Sequence, residues 1–276
     1  MERIKQALER AREQRRTVGT TAAKATALPP RKRSHAPAAA PIEIAYTHTR
    51  QVEIDPKFLR HNRIISGPTD PVAEPYKILR TKVLQRMRAN QWQTLAITSP
   101  TEGCGKTVTA INLAISIARE VNQTVLLVDL DLRRPQVHRN LTREELPGIS
   151  DHLVNDAPVE DLLFNPKGIE RLVVLPGHTS VSHSSEMLSS PKMVSLAAEL
   201  KSRYPSRIVL LDMPPVLACD DVLAFSPHFD AVLLVAEEGE TKKEELSQAA
   251  KLLEKTNLVG SVMNKSSSRG SGYYYA

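Results

Sequence analysis

The sequence predicts an α/β fold, a doubly wound and mostly parallel sheet with helices on both faces. Three observations predict it. Short runs that are apolar at every position, such as TLAIT, IVLLD and AVLLVA, have the length of strands buried on both faces. They alternate with amphipathic stretches, the order that builds a parallel sheet. One of them runs through a glycine loop straight into a helix, TLAITSPTEGCGKTVTAINLAIS.

The elements follow in order. Residues 1–16 place Met1, Ile4, Leu8 and Ala11 on one stripe among Arg, Lys and Glu, a short amphipathic helix too marginal to stand alone in water. Residues 17–65 form a basic, Pro/Ala-rich linker and lead-in, of which residues 17–45 read as flexible with no means of building a core. The folded domain is expected over residues 66–265. Its first helix starts near Asp70 as N-cap with Pro71 at the first helical position, and Ile78, Leu79, Val83, Leu84 and Met87 form its apolar stripe. Then come the strand at 94–98 and the helix from Lys106. The strand TVLLVDLDL follows, then a helical stretch to about residue 164 and the strand RLVVLP. The helix SPKMVSLAAELKSRYP precedes the strand RIVLLDMPP. The strand FDAVLLVAEEGE, the helix TKKEELSQAAKLLEKT and the strand LVGSVMNK close the domain. Residues 266–276, SSSRGSGYYYA, are a flexible tail.

Composition removes several functional classes. No apolar run approaches the roughly 20 residues of a membrane-spanning helix, and the N-terminus has no signal-peptide core. Cys104 and Cys219 form no CxxC pair, which fits a reducing cytoplasm, and the eight His show no zinc spacing. The net charge of +6 belongs to the arm: residues 1–40 carry ten Lys/Arg against three Asp/Glu. Such an arm suits anionic lipid, nucleic acid or an acidic partner, and equally a solvated leader.

The chemistry is concentrated at TSPTEGCGKT, residues 98–107. Gly103 and Gly105 allow a tight turn that aims backbone N–H groups inward. Lys106 reaches β- and γ-phosphates, Thr107 offers a hydroxyl to Mg²⁺, and the helix N-terminus adds partial positive charge. Thr101, Glu102 and Cys104 complete the nucleotide loop. Pro100 stands where the usual first glycine would be. Asp129 lies 23 residues after Lys106, one strand–helix–strand step, and Asp212 ends another buried strand. In such sheets ligands gather at the carboxyl ends of strands. Lys106, Asp129, Asp131 and Asp212 are therefore expected in one crevice, with ATP and Mg²⁺ as cofactors and Thr107, Asp129 and Asp212 as metal ligands. Taken singly, each Asp reads equally as a turn cap. Cys104 is either a tolerated small side chain or a thiol activated beside Lys106. Arg133 either steadies the DxD loop, contacts a phosphate or makes a plain ion pair.

SPTEGCGKT, LLVDLDLR and VLLDMPP together resemble the three nucleotide motifs of the bacterial tyrosine kinases, P-loop proteins related to the MinD/ParA ATPases. The resemblance covers about residues 65–276. It implies an ATP-dependent protein-tyrosine autokinase that regulates capsule and exopolysaccharide export, similar to the separate cytoplasmic kinases of exosortase-associated loci. It implies autophosphorylation at Tyr273, Tyr274 and Tyr275, presented to the active site of a neighbouring subunit. Glu74, Lys77 and Arg80 are similar to the family's ExxRxxR motif, which packs subunits into a ring, with Lys77 in place of the first Arg; they read equally as a charged helix face. Asn264 would contact the adenine. The resemblance further implies an inner-membrane polysaccharide co-polymerase as activator, a cognate tyrosine phosphatase, and a cytoplasmic chain recruited to the inner face of the membrane, with peripheral lipid contact by the arm and no nucleic acid.

Asp129 is the first candidate to orient or deprotonate the tyrosine hydroxyl, and Asp131 the second. Two rivals share the motifs. One is a MinD/ParA-like switch ATPase, which would carry Lys where this loop has Thr101 and would leave the tyrosines unexplained. A noncatalytic nucleotide-binding scaffold would have no use for Lys106 and the three carboxylates.

Overall fold

The computed structural model describes residues 49–120, 122–203 and 206–266. The N-terminal amphipathic stretch, the linker up to residue 48 and the tyrosine cluster lie outside the described residues.

An eight-stranded sheet forms the centre. In chain order the strands are β1 (Arg50–Val52), β2 (Thr94–Thr98), β3 (Thr124–Asp129), β4 (Phe164–Pro166), β5 (Leu172–Leu175), β6 (Arg207–Asp212), β7 (Ala231–Glu237) and β8 (Leu258–Asn264). Their spatial order is β1-β4-β5-β3-β6-β2-β7-β8, and every pairing is parallel except β4 with β5. The helices are α1 (Pro56–His61), α2 (Ala73–Ala89), α3 (Lys106–Ala118), α4 (Val137–Leu141), α5 (Ile149–Asn155), α6 (Val159–Leu162), α7 (Ser184–Leu188), α8 (Pro191–Ser202), α9 (Asp221–Phe225) and α10 (Lys243–Leu252).

The apolar strands are buried on both faces because their alternate side chains enter two different cores. Leu95, Ile97, Val125 and Leu127 pack with α1–α4, whereas Ala96, Leu126 and Val128 pack with α5–α10. Helix α3 is buried along its whole length after the first turn, from Thr109 to Ala118, which is why its sequence is apolar nearly all round.

Four expectations are corrected. The compact part takes in residues that composition assigned to the lead-in: β1 and α1 precede residue 66, and Val52, Leu59, Ile64 and Ile65 are core residues. What recruits them is Asn112, a buried amide on α3. Its Oδ1 accepts from Ile65 N at 2.8 Å and its Nδ2 donates to Arg63 O at 2.9 Å. Asp70 does not cap α2, which begins at Ala73. Its carboxylate instead accepts from Ser66 N and Val72 N, closing the preceding turn. Of the expected apolar stripe of α2, Val83, Leu84 and Met87 are buried and Leu79 packs partly buried against the core, while Ile78 is exposed. Finally, the helical stretch to residue 164 is three short helices, α4 to α6, followed by β4. That strand joins β1 to the sheet and introduces its one antiparallel pair.

Candidate active site

The register of the sheet builds the site. β3 and β6 are neighbours with Asp129 opposite Asp212, and β6 also pairs with β2, which feeds the glycine loop. Carboxylates and loop therefore meet at the carboxyl end of the sheet, beside the place where the strand order reverses direction. The loop turns on two left-handed glycines, Gly103 at φ 84° and Gly105 at φ 85°. Gly105 also accepts no side chain for a second reason: a Cβ there would lie 2.2 Å from Asn264 Nδ2.

Lys106 Nζ donates to Asp131 Oδ2 at 2.7 Å, lies 3.7 Å from Asp212 Oδ1, and reaches Thr107 Oγ1 at 3.3 Å. Thr107 Oγ1 donates to Asp212 Oδ2 at 2.6 Å. Burial by itself would lower the Lys106 pKa, but Asp212 and Asp131 outweigh it and hold the ammonium above its usual value. Burial pushes Asp212 up to about 6, against the pull of Lys106 and the Thr107 hydrogen bond. Asp212 Oδ1 is buried and accepts no hydrogen bond among the described residues.

Asp129 ends β3 opposite Asp212, with its carboxylate on backbone amides. Its Oδ2 accepts from Gln136 N and Val137 N, each at 2.9 Å, and its Oδ1 accepts from Asp131 N at 3.3 Å. Burial, then the charge of Asp212, raise its pKa well above the usual carboxylate value. Asp129 thus organises the loop that carries Asp131, with both oxygens turned to backbone amides. Of the three aspartates, Asp131 is the one that lines the cleft.

Asn264 ends β8 beside the loop. Its Nδ2 donates to Cys104 O at 2.8 Å, so it clamps the end of β8 onto the loop. Cys104 is buried, with its thiol 3.6 Å from both Thr101 Oγ1 and Thr241 Oγ1. It fills space between two loops. Glu102 is exposed and ion-paired with Arg134 at the rim. On α2, Glu74 and Lys77 form an exposed pair at 2.8 Å. Arg80 turns inward instead, donating to Ser116 O at 3.0 Å and pairing with Glu120 at 3.0 Å.

The cleft beside the loop has a volume of about 350 Å³. Lys106, Asp131, Arg133 and Arg134 supply the charge of its lining, which also includes Pro214, Pro215, Ala218 and Cys219. Two partners of Arg133 have no signal in the sequence. Its Nε donates to Ser184 Oγ at 2.8 Å, and its Nη2 lies 3.5 Å from Asp221 Oδ1. Ser184 sits in an unremarked serine pair, and Asp221 in a short helix that no periodicity announces.

This geometry has counterparts. Residues 92–266 match the AAA domain family model. Tyrosine-protein kinase YwqD of Bacillus subtilis is 33% identical over 222 residues, which are 78% of this chain and 92% of that protein. The chain belongs to the bacterial tyrosine-protein kinase family. The kinase domain of the Escherichia coli tyrosine kinase ETK is similar to this family member with a TM-score of 0.64 and 29% identity, over 76% of this chain and 82% of that one. MinD of Pyrococcus horikoshii, solved with Mg-ADP, shares the fold with a TM-score of 0.53 and 23% identity, over 62% of this chain and 69% of that one. The doubly wound, mostly parallel sheet expected from the sequence is thus the fold of bacterial tyrosine kinases and of MinD alike.

Proposed function

We propose that this chain is an ATP-dependent protein-tyrosine autokinase that transfers the γ-phosphoryl group of ATP to Tyr273, Tyr274 and Tyr275 of a neighbouring subunit. The observation that carries the reading is the cluster of Lys106 with Asp131 at 2.7 Å and Asp212 at 3.7 Å, at the N-terminus of α3. A buried ammonium held by two carboxylates is a phosphate site with its counter-ions in place.

When the terminal phosphates of ATP take over the Lys106 ammonium, Asp131 Oδ2 is released to face the cleft. It then accepts the phenolic proton of the incoming tyrosine. The tyrosine oxygen forms its bond to Pγ as the bond from Pγ to the bridging oxygen breaks, and that electron pair leaves with ADP. Lys106 and the loop amides spread the transferring charge. The unpartnered Asp212 Oδ1 and the Thr107 hydroxyl on Asp212 Oδ2 fit a Mg²⁺ ion, held directly or through water. A cation bound there supplies charge neutralisation on the phosphate oxygens. Asp129 acts by holding the Asp131 loop.

The physiological reading is control of exopolysaccharide assembly and export. In it the chain forms a ring of subunits, is switched on by the cytoplasmic tail of an inner-membrane polysaccharide co-polymerase, and is reset by a tyrosine phosphatase. Each phosphate adds nearly two negative charges to the tail, so several on one tail repel each other and favour release. The basic residues 1–40 serve recruitment to the membrane face. Deleting them should abolish recruitment, and unchanged recruitment would sink that part.

Intact mass and tail mapping after incubation with Mg–ATP test the central claim. Phosphate on the tail is expected in the wild type, and none in Lys106→Met or in the triple Tyr→Phe variant at 273–275. Clear ATP hydrolysis with no phosphate on any tyrosine, even with the activator's tail added, would establish the switch ATPase instead.

A further inference from the structure

Asp131 belongs to no helix or strand; it lies between the end of β3 at Asp129 and the start of α4 at Val137. Lys106 Nζ donates to its Oδ2, a bond that is given up when phosphates take the ammonium. The other hydrogen bond that its carboxylate accepts among the described residues is local, from Arg134 N to Oδ1 at 3.1 Å. The loop that carries Asp131 must therefore be held from elsewhere.

A stretch without any motif holds it, residues 176–184, from the end of β5 into the first residue of α7. Val181 N donates to Leu132 O at 2.8 Å, Ser180 Oγ donates to Arg133 O at 2.7 Å, and Ser184 Oγ accepts from Arg133 Nε at 2.8 Å. Gly177 is buried, and a Cβ there would lie 2.3 Å from Pro135 Cβ and 3.3 Å from Asp129 Cγ. A proline ring cannot rotate out of the way as another side chain could. Contacts on residues 129, 132, 133 and 135 thus bracket Asp131 along the chain. The stretch is itself anchored. Pro176 O accepts from Ile149 N at 2.7 Å and Gly177 O from Ser150 N at 3.3 Å, the first amides of α5, which have no partner within their own helix. Ser150 Oγ accepts from Thr179 N at 3.1 Å, and His178 Nδ1 meets Asp151 Oδ2 at 2.7 Å.

We propose that residues 177–184 position Asp131 for phosphotransfer, with Gly177 and Ser180 as the positioning residues. The inference rests on the kinase reading above, in which Asp131 faces the incoming tyrosine once Lys106 has turned to the phosphates. From then on the carboxylate is located by its backbone, and the backbone is located by this stretch. The contacts to Leu132 O, Arg133 O and Pro135 involve no charged group, so a nucleotide that redistributes the charges of the cleft leaves them in place. Neither Gly177 nor Ser180 lines the cleft. They act through Asp129, Arg133 and Pro135, and their loss should reach the transfer step without reaching the hold on ATP.

The test uses the full chain, Mg–ATP and a synthetic peptide of the tail sequence SRGSGYYYA as acceptor. Gly177→Ala drives a methyl group into Pro135 and Asp129, Ser180→Ala removes the bond to Arg133 O, and Ser180→Thr keeps it. The expected result is a fall in kcat of about tenfold or more for Gly177→Ala and about threefold or more for Ser180→Ala, with Ser180→Thr near wild type. Affinity for a non-hydrolysable ATP analogue should stay within about twofold in all three. A merely structural role would move kcat and ATP affinity together. Ser180 is exposed, so its two variants carry the test if thermal unfolding shows that Gly177→Ala does not fold. An unchanged kcat in folded Gly177→Ala or Ser180→Ala overturns the proposal, and so does an ATP affinity that falls in step with kcat. Hydrogen exchange over residues 130–136, with Mg²⁺ and the analogue bound, decides the case in which the wild type transfers nothing. Faster exchange there in Ser180→Ala, with α3 unchanged, supports the positioning and moves the failure to the kinase reading; unchanged exchange overturns the positioning as well.

Discussion

Thr107 and Asp212 are separated by 105 positions in the chain, yet the Thr107 hydroxyl donates to Asp212 Oδ2 at 2.6 Å. One residue opens α3 and the other ends β6, and the contact joins the phosphate loop to the strand that separates it from β3. It also fixes which oxygen of Asp212 remains without a hydrogen bond. The charge state of that carboxyl then governs both stability and activity.

Asp212 should impose a pH signature. Burial raises it to about 6 from a usual value of 3.8, so the folded state binds this proton more tightly than the unfolded chain. The stabilisation is complete below about pH 4 and is lost as pH rises through 6, by roughly 3 kcal/mol for a shift of about two units. Denaturant titrations of the nucleotide-free protein should show stability falling between pH 4 and 7, with a shallower fall in Asp212→Asn. Phosphotransfer should run the other way, rising through about pH 6 as the carboxylate ionises.

Lys106→Met should cost more than activity. It leaves Asp131 and Asp212 facing each other without their shared cation, and breaking a buried pair of this kind costs about 3 kcal/mol. Thermal unfolding should show a clear drop beside the loss of transfer. A fully active or unshifted variant would show that Lys106 is neither the phosphate ligand nor the counter-ion.

Gly105→Ala should impair the loop from two directions. The residue sits at φ 85°, and the new Cβ would meet Asn264 Nδ2 at 2.2 Å. Strain at such a position costs about 1–3 kcal/mol. Adding Asn264→Ala should relieve the collision but not the left-handed backbone, recovering part of the stability. Calorimetry of the single and double variants measures the split.

On α2 the structure separates two residues that the sequence grouped. Arg80→Ala should lower the unfolding temperature, because its contacts to Ser116 O and Glu120 tie α2 to the end of α3. The lost hydrogen bonds to a charged group suggest about 1–2 kcal/mol. Lys77→Glu, in an exposed pair, should leave stability nearly unchanged and instead lower the oligomer mass in light scattering. A stable Arg80→Ala protein would mean that the inward contacts contribute little.

The sequence alone determined the sheet and most of the nucleotide site. Strands buried on both faces must be apolar at every position, and a phosphate loop must have glycines, lysine and a hydroxyl at fixed offsets. Local rules of this kind are written contiguously, so the loop of Gly103, Gly105, Lys106 and Thr107 was legible, as was its meeting with Asp131, just beyond β3, and Asp212, at the end of β6. Only the tertiary structure decided what each carboxylate does. Asp129 and Asp131 are two residues apart in one motif, yet backbone amides of Gln136 and Val137 take the first while Lys106 takes the second. The same holds for Asn112, which ties residues 63–65 to α3, and for Ser184 and Asp221, which fix Arg133. Those partners are chosen by how separate segments pack together, where burial leaves each polar group in need of whichever donor the fold brings near, and no spacing along the chain records that choice.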